Sequence, residues 1–122
     1  MQHNSTQGFG KEERLHGKKD IQELFDKGSS FYLHPFQCRY LPEENGEYHR
    51  ILISVSRRKF KKATDRNLIK RRIREAYRRN KAAIAALPKQ RIAYIYTSRE
   101  ILSYEKIEEG VLGSFRKLSK RL

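Results

Sequence analysis

The sequence contains little of what builds a crosslinked, metal-bound or membrane-spanning protein. Its 122 residues include one cysteine, Cys38, no tryptophan and three prolines. A single cysteine excludes an internal disulfide and a cysteine-based zinc site, and it is typical of a reducing, cytoplasmic compartment. The four histidines have no spacing typical of metal ligands. No apolar run approaches the ~18 residues that a membrane span requires.

Catalytic machinery is also missing from the sequence. The acidic residues do not cluster with a nucleophile, and there is no glycine-rich loop of the kind that holds a phosphate. We therefore predict no catalytic residues, no metal site in the protein and no small-molecule substrate.

Positive charge is what the sequence has in excess. It has 28 Lys and Arg residues against 14 Asp and Glu residues, which gives a net charge of +14. Residues 57–81 hold 13 of the basic residues and two of the acidic ones, so this segment alone carries +11. Such a charge indicates a polyanionic partner, either a nucleic acid or an anionic membrane surface.

The hydrophobic pattern predicts a single α+β domain over residues 9–122, preceded by a flexible polar tail at 1–8 that has no features of a secretory signal. Helices are predicted at three segments: 18–27, 64–87 and 104–120. Strands are predicted at three segments: 31–41, 50–56 and 91–97. Thr64 or Asp65 is predicted to cap the long helix, and Ser103 the last one. The strand at 91–97 is apolar on both faces and is therefore predicted to be central.

The long helix is predicted to be amphipathic. At ~100° per residue, one arc is apolar: Ile69, Ile73, Ala76, Tyr77, Ala83, Ile84 and Leu87. A separate arc is polar and basic: Asn67, Lys70, Arg71, Arg74, Arg78 and Lys81. The basic block is therefore one face of a folded helix, and not a disordered arm.

This basic arc favours nucleic-acid binding. An ordinary solvated helix face mixes Glu with Lys, whereas this arc is nearly all of one sign, and a polyanion relieves the repulsion between Lys70 and Arg74. A membrane surface is the weaker alternative, because the core needs the apolar arc. Asn67 is either an ordinary surface residue or a hydrogen-bonding partner of a base or sugar hydroxyl.

The strand at 31–41 and the helix before it suggest a second surface. Gln37 and Arg39 alternate with apolar residues, among them Cys38, which we expect in the core. Phe25, on the preceding helix, is either a core residue or one wall of a groove that also contains Gln37 and Arg39. Aromatic rings beside basic residues form stacking sites for single-stranded nucleotides.

Three motifs in order resemble the bacterial ribonuclease P protein subunit. Phe9–Leu15 and Lys19–Gly28 are similar to the opening of that family, and Ile53–Arg58 to its strand ending in Ser-Val-Ser-Lys-Lys. Arg66–Arg71, followed by Arg74–Glu75, is similar to its signature, Arg-Asn-Arg-hydrophobic-Lys-Arg and then Arg-Glu. The resemblance covers about residues 9–120.

The resemblance implies an α+β sandwich of the ribosomal protein S5 domain 2-like type with a central cleft. We expect about four strands in a small mixed or antiparallel sheet, with three helices packed against it. It also implies a non-catalytic, RNA-binding subunit of a tRNA 5′-maturation endoribonuclease, in which the catalytic RNA cleaves precursor tRNA with Mg²⁺ bound mainly by the RNA and substrate. The expected partners are one catalytic RNA per protein and the 5′ leader of precursor tRNA.

Site residues follow from the resemblance together with the residue patterns. Contacts with the RNA subunit are expected from eight residues: Arg57, Arg58, Arg66, Asn67, Lys70, Arg71, Arg74 and Arg78. The leader cleft is expected to contain four: Ile21, Phe25, Gln37 and Arg39. The sequence departs from the family at three positions. Leu68 replaces the usual second arginine of the signature, Ile21 a common phenylalanine, and Arg39 lies near a frequent tyrosine.

Two other classes compete with this interpretation. A small ribosomal-protein-like structural RNA binder has the same size and charge, but it does not account for the basic motif on a long helix after a Ser-Val-Ser strand. A helix-turn-helix DNA regulator is disfavoured, because the basic helix follows a strand and not a short partner helix.

Overall fold

The computed structural model describes residues 8–44 and 46–122, so the predicted tail at 1–8 lies outside the described residues except for Gly8. The helices and strands follow in this order: α1 (Lys18–Lys27), β1 (Ser29–Leu33), β2 (Phe36–Pro42), β3 (Arg50–Ser54), α2 (Ala63–Asn80), β4 (Gln90–Tyr96) and α3 (Tyr104–Arg121). Short 3-10 helices at Lys11–Glu13 and Lys81–Ile84 precede α1 and follow α2.

The four strands form one mixed sheet in the order β1-β2-β4-β3. β2 pairs antiparallel with both β1 and β4, and β3 pairs parallel with β4. This confirms the predicted α+β architecture of about four strands and three helices. It also explains why Gln90–Tyr96 is apolar on both faces, since β4 has a strand on each side and residues packed above and below.

Helices cover both faces of the sheet. α2 and α3 pack on one face over a core that includes Ile69, Ile107 and Tyr94, all fully buried. α1 packs on the other face, where Leu24 meets Ala93. Ala93 and Tyr94 are neighbours on β4, and neighbouring side chains of a strand point to opposite faces. The basic arc of α2 and the groove predicted beside α1 therefore lie on opposite sides of the sheet.

The single strand predicted at 31–41 is wrong. The chain turns at His34–Pro35, where the peptide bond is cis, and β1 and β2 form a hairpin in which Leu33 lies opposite Phe36. α3 crosses the hairpin closely at this turn, since a Cβ on Gly110 would lie 2.6 Å from Pro35 Cδ. The apolar alternation changes phase at the turn, from Phe31 and Leu33 to Phe36, Cys38 and Tyr40, which one continuous strand does not accommodate.

The predicted ends of the long helix are also wrong. α2 begins at Ala63 with Lys62 as its N-cap residue, so Thr64 and Asp65 lie in the first turn and neither caps it. It ends at Asn80, whose side-chain amide donates to the carbonyl of Ala76 at 2.8 Å. That carbonyl is the acceptor that a continuing helix offers to the backbone N–H of residue 80.

The change to a 3-10 helix after Asn80 alters which residues are buried. The predicted apolar arc is confirmed for Ile69, Ile73, Ala76, Tyr77 and Ile84, which are all buried. The prediction is wrong for Ala83, which is exposed, because a 3-10 helix has about three residues per turn and shifts the arc.

The other predicted elements agree with the structure. α1 spans the predicted residues, and Ser103 caps α3 by accepting a hydrogen bond from the backbone N–H of Lys106. Cys38 is a core residue, and burial raises the pKa of its thiol to about 12. Within the described residues, no helix is long and apolar enough to cross a membrane.

Candidate nucleic-acid interface

One side of α2 carries a row of polar and basic side chains, which we call the α2 stripe: Asn67, Lys70, Arg71, Arg74 and Arg78. Residues three and four apart on a helix are neighbours on its surface, so the row follows the helix over three turns. Asn67, Arg71 and Arg74 are exposed, and Lys70 and Arg78 are half-buried.

Most of the α2 stripe has no internal partner. In the part of the chain that the structure describes, Lys70, Arg71 and Arg74 make no side-chain hydrogen bond and no ion pair. Arg78 differs, since its Nη2 lies 2.7 Å from Glu75 Oε2. That hydrogen bond lowers the pKa of the Glu75 carboxyl. The three unpartnered cations are therefore available to an external anion.

Arg66 is among the residues predicted to contact RNA, and its guanidinium bonds to the protein backbone. Arg66 Nη1 donates to the carbonyls of Phe60 and Lys61 at 2.7 and 3.0 Å. Arg72 behaves similarly and donates to the Leu102 carbonyl at 2.5 Å. The two arginines fix neighbouring loops, and the Arg66 bonds position the loop between β3 and α2.

That loop presents two further predicted cations. Arg57 and Arg58 are exposed, and the backbone N–H of Arg58 donates to Ser56 Oγ at 3.0 Å. Lys59 Nζ donates to the Thr97 carbonyl at 2.8 Å. The loop is thus held at several points, and its arginine side chains extend the basic surface beyond the amino end of α2.

On the opposite face of the sheet, α1 leaves one row of the strands uncovered. In register across the four strands this row contains Tyr32, Gln37, Ile95 and Ser54. Tyr32 is 54% exposed, Ser54 is exposed, and Gln37 and Ile95 are half-buried. We call the surface formed by this row together with Phe25 and Arg39 the α1 cleft.

Arg39 connects the cleft to α1. Its Nη2 donates to the carbonyls of Phe25 and Gly28 at 2.9 and 3.3 Å, so it closes the carboxyl end of the helix. The guanidinium also lies over the Phe25 ring, 5.6 Å from its centroid. Phe25 is 36% exposed and Leu24 is fully buried, so Leu24 is the residue that anchors α1 to the core.

Ile21, also predicted in the cleft, packs against the cluster under α1. The remaining attachment of α1 is ionic. Arg50 bonds Asp20 at 3.0 Å and Glu43 at 2.9 Å, and Arg91 bonds Glu23 at 2.7 Å. The hydrogen bonds from Arg50 and Arg91 lower the pKa of the Asp20 and Glu23 carboxyls respectively.

Sequence reasoning missed Tyr32 as a cleft residue. In an unbroken strand, Tyr32 and Gln37 are five residues apart and point to opposite faces. The turn at His34–Pro35 brings them into register as a pair on one face. The signal was the proline itself, since proline cannot donate a hydrogen bond within a central strand.

Comparison with known proteins identifies the family. A model of the ribonuclease P family matches residues 9–122. The chain belongs to the ribonuclease P protein family. A ribonuclease P protein component from Petrotoga mobilis is 35% identical over 118 residues, covering 92% of this chain and 96% of that protein. One from Porphyromonas gingivalis is 30% identical over 122 residues, covering 94% and 89%.

Solved structures agree with this assignment. The ribonuclease P protein of Staphylococcus aureus superposes with a TM-score of 0.74 at 26% identity, covering 88% of this chain and 95% of that one. The protein of Thermotoga maritima gives 0.74 at 28% identity, covering 86% and 96%. The predicted family and fold are confirmed, and with them an RNA-binding component of ribonuclease P that acts in tRNA processing. The structural RNA-binder alternative is not favoured.

Proposed function

We propose that the α2 stripe binds the ribonuclease P RNA while the α1 cleft binds the 5′ leader of precursor tRNA, one protein per RNA, in the cytoplasm. The observation that carries this is the pair of surfaces on opposite faces of the sheet. One is a row of basic side chains in which Lys70, Arg71 and Arg74 have no partner within the described structure, and the other is an open sheet surface with exposed aromatic rings.

The α2 stripe has the properties of a phosphate-binding surface. Lys70, Arg71 and Arg74 are spaced along one side of a rigid helix, so they can follow a nucleic-acid backbone over successive turns. Guanidinium groups bind phosphate through two parallel hydrogen bonds, and Asn67 adds a neutral hydrogen-bonding group beside them. Arg57 and Arg58 extend the same surface.

The α1 cleft suits a single strand better than a duplex. Phe25 and Tyr32 expose ring surface on which unpaired bases stack, and stacking needs no particular base. Gln37 supplies an amide between them, and Arg39, which binds the Phe25 and Gly28 carbonyls, keeps its positive charge beside the Phe25 ring. A tRNA leader is unpaired, whereas the RNA subunit offers mainly folded helices, so the cleft fits the leader.

We propose that the chemistry is performed by the RNA subunit with Mg²⁺. Among the residues that the structure describes, no group of three His, Cys, Asp or Glu side chains is arranged to hold a metal ion. Two carboxylates of α1, Asp20 and Glu23, are bound to arginines. The protein's part is to hold both RNAs, which raises affinity when Mg²⁺ is scarce.

Reconstitution tests the proposal. A bacterial ribonuclease P RNA and a precursor tRNA are mixed at low Mg²⁺, with and without the protein. We expect a clear rise in cleavage at the 5′ end of the mature tRNA when the protein is added, and no cleavage by the protein alone. An unchanged rate, with binding of the RNA subunit verified, would overturn the proposal.

A further inference from the structure

The carboxyl-terminal two turns of α3 carry a second concentration of positive charge, which we call the α3 patch: Arg116, Lys117, Lys120 and Arg121. Residues 110–122 contain no acidic residue. None of the four side chains has a carboxylate partner among the described residues. Like charges four apart on a helix repel one another, so the patch lowers the stability of α3 unless an anion is bound.

Two of the four cations are held in position by the sheet. The ring of Phe31, on β1, lies under both: Lys117 Nζ is 5.8 Å and Arg121 Cζ is 5.2 Å from its centroid. Arg121 Nη1 also donates to the Ser30 carbonyl and to Tyr40 Oη, each at 3.3 Å. Positioned cations lose less side-chain freedom when they bind a phosphate.

Stabilisation of the helix end does not account for the whole patch. Cations favour the carboxyl end of a helix because of its dipole, but the effect is confined to about the last turn. Lys120 and Arg121 lie in that turn, whereas Arg116 and Lys117 lie one turn earlier. The two earlier cations require another explanation.

The patch lies next to one end of the α1 cleft. Ser30, whose carbonyl binds Arg121, is the register partner of Arg39, and Arg39 binds the Phe25 carbonyl. The patch and this end of the cleft therefore lie on opposite faces of the same β1–β2 segment. β1 is one of the two edge strands of the sheet, so a strand of RNA leaving the cleft at Phe25 can cross that edge.

We propose that the α3 patch binds the phosphates of the distal leader, upstream of the nucleotides held in the α1 cleft. This inference rests on the proposed leader binding. It predicts that the patch contributes to precursor-tRNA binding only when the leader is long enough to cross β1. Its contribution is electrostatic and independent of leader sequence.

The test compares leader lengths. Single-stranded sites on small domains span roughly 4 to 16 nucleotides, so precursor tRNAs with leaders of about 4 and about 16 nucleotides are compared with mature tRNA, all bound to the reconstituted holoenzyme. Two variants each remove two charges: Lys117→Gln/Arg121→Gln and Arg116→Gln/Lys120→Gln. The second removes no hydrogen bond or ion pair found in the described structure, so it remains informative if the first is unstable.

A matched control removes the same charge elsewhere. Lys11→Gln/Arg14→Gln alters two exposed cations of the amino-terminal segment before α1, which contacts β3 at the far edge of the sheet. We expect both α3 variants to weaken binding of the long leader severalfold and to leave the short leader and mature tRNA unchanged. The slope of log K against log salt should shrink by about 0.7 for each leader phosphate that the variant no longer neutralises.

The outcomes separate this inference from the proposed function. Equal reductions in affinity for long leader, short leader and mature tRNA would overturn it, because the patch would then contact another part of the complex. An unchanged affinity in both variants would also overturn it. In both cases a Phe25→Ala variant, which is expected to weaken both leader lengths, reports independently on the α1 cleft.

Discussion

Arginines on the two faces of the sheet have the same charge and different surroundings. On the α1 face, Arg39 binds two carbonyls, and Arg50 and Arg91 bind carboxylates. On α2, Arg71 and Arg74 bind nothing in the described structure. The first group fastens α1 to the sheet, and the second faces solvent.

The difference shows why charge alone does not locate a nucleic-acid surface. An arginine whose hydrogen bonds are satisfied within the protein is a structural residue, and removing it leaves its partners unpaired. An arginine without partners adds only repulsion to the isolated protein, so its benefit appears when an anion binds. Arg66 shows that both kinds occur within one sequence motif.

Among the changes that test this difference between the arginines, Arg91→Gln is expected to have the largest effect, a loss of stability. Its side chain is 12% exposed, and it pairs with Glu23 and with Glu43, which is 11% exposed. Because the change leaves two carboxylates short of a partner, we expect unfolding free energy to fall by about 2 kcal/mol. Urea denaturation measures this, and RNA-subunit affinity of the folded variant should be unchanged. A stability within error of the parent protein would contradict the structural role.

Arg74→Ala is expected to lower affinity for the RNA subunit and to leave the stability of the protein unchanged. Arg74 is exposed and has no side-chain hydrogen bond or ion pair in the described structure, so unfolding free energy should stay within about 0.5 kcal/mol. Affinity for the RNA subunit should fall by about 1 kcal/mol or more if Arg74 binds its phosphate in bidentate fashion, and the slope of log K against log salt should shrink by about 0.7 to 0.9. Titration of the labelled RNA at several salt concentrations gives both. A salt slope near zero for the parent protein would refute the role of the α2 stripe.

The smallest expected effect is the pH dependence that the carboxylates of α1 contribute. The pKa values of Asp20 and Glu23 are lowered in the folded protein by Arg50 and Arg91. The unfolded chain therefore takes up protons first as the pH falls, so the stability these carboxylates supply is present above about pH 4.5 and is lost below it. Melting curves of the parent and Arg91→Gln proteins should converge in acid. A difference that stays constant to about pH 3 would exclude the ionic attachment of α1.

Much of the fold was predictable because local signals agreed with the tertiary structure. Helical periodicity with a serine cap located α3, and an apolar run located β4 at the centre of the sheet. The hairpin at His34–Pro35 has a weaker signal, since it rests on one proline and a change of phase in the apolar alternation between Leu33 and Phe36. The end of α2 depends on Asn80, which also bonds to Glu108 Oε2 on α3, a contact distant in sequence.

The sequence was sufficient to predict which residues form the candidate site, but not which groups their side chains bond in the folded protein. The spacing of Asn67, Lys70, Arg71 and Arg74 was sufficient to place them on one side of a helix. That Arg66 binds two carbonyls, or that Arg39 closes α1, depends on which backbone groups the fold brings near each guanidinium. Tyr32 was missed for a related reason, because its face is set by the turn that follows it.

The central claim is that two RNA surfaces lie on opposite faces of the sheet, and a paired measurement on Phe25→Ala and Arg74→Ala tests it most directly. For each holoenzyme, the affinities for precursor and mature tRNA are measured beside the affinity for the RNA subunit and the melting temperature. Phe25→Ala should weaken precursor binding by about 1–3 kcal/mol per unstacked base, and spare mature tRNA and RNA-subunit binding. Arg74→Ala should weaken RNA-subunit binding and leave the ratio of precursor to mature affinity unchanged. The account is contradicted if Phe25→Ala lowers the melting temperature and preserves that ratio, or if both variants change the same affinity.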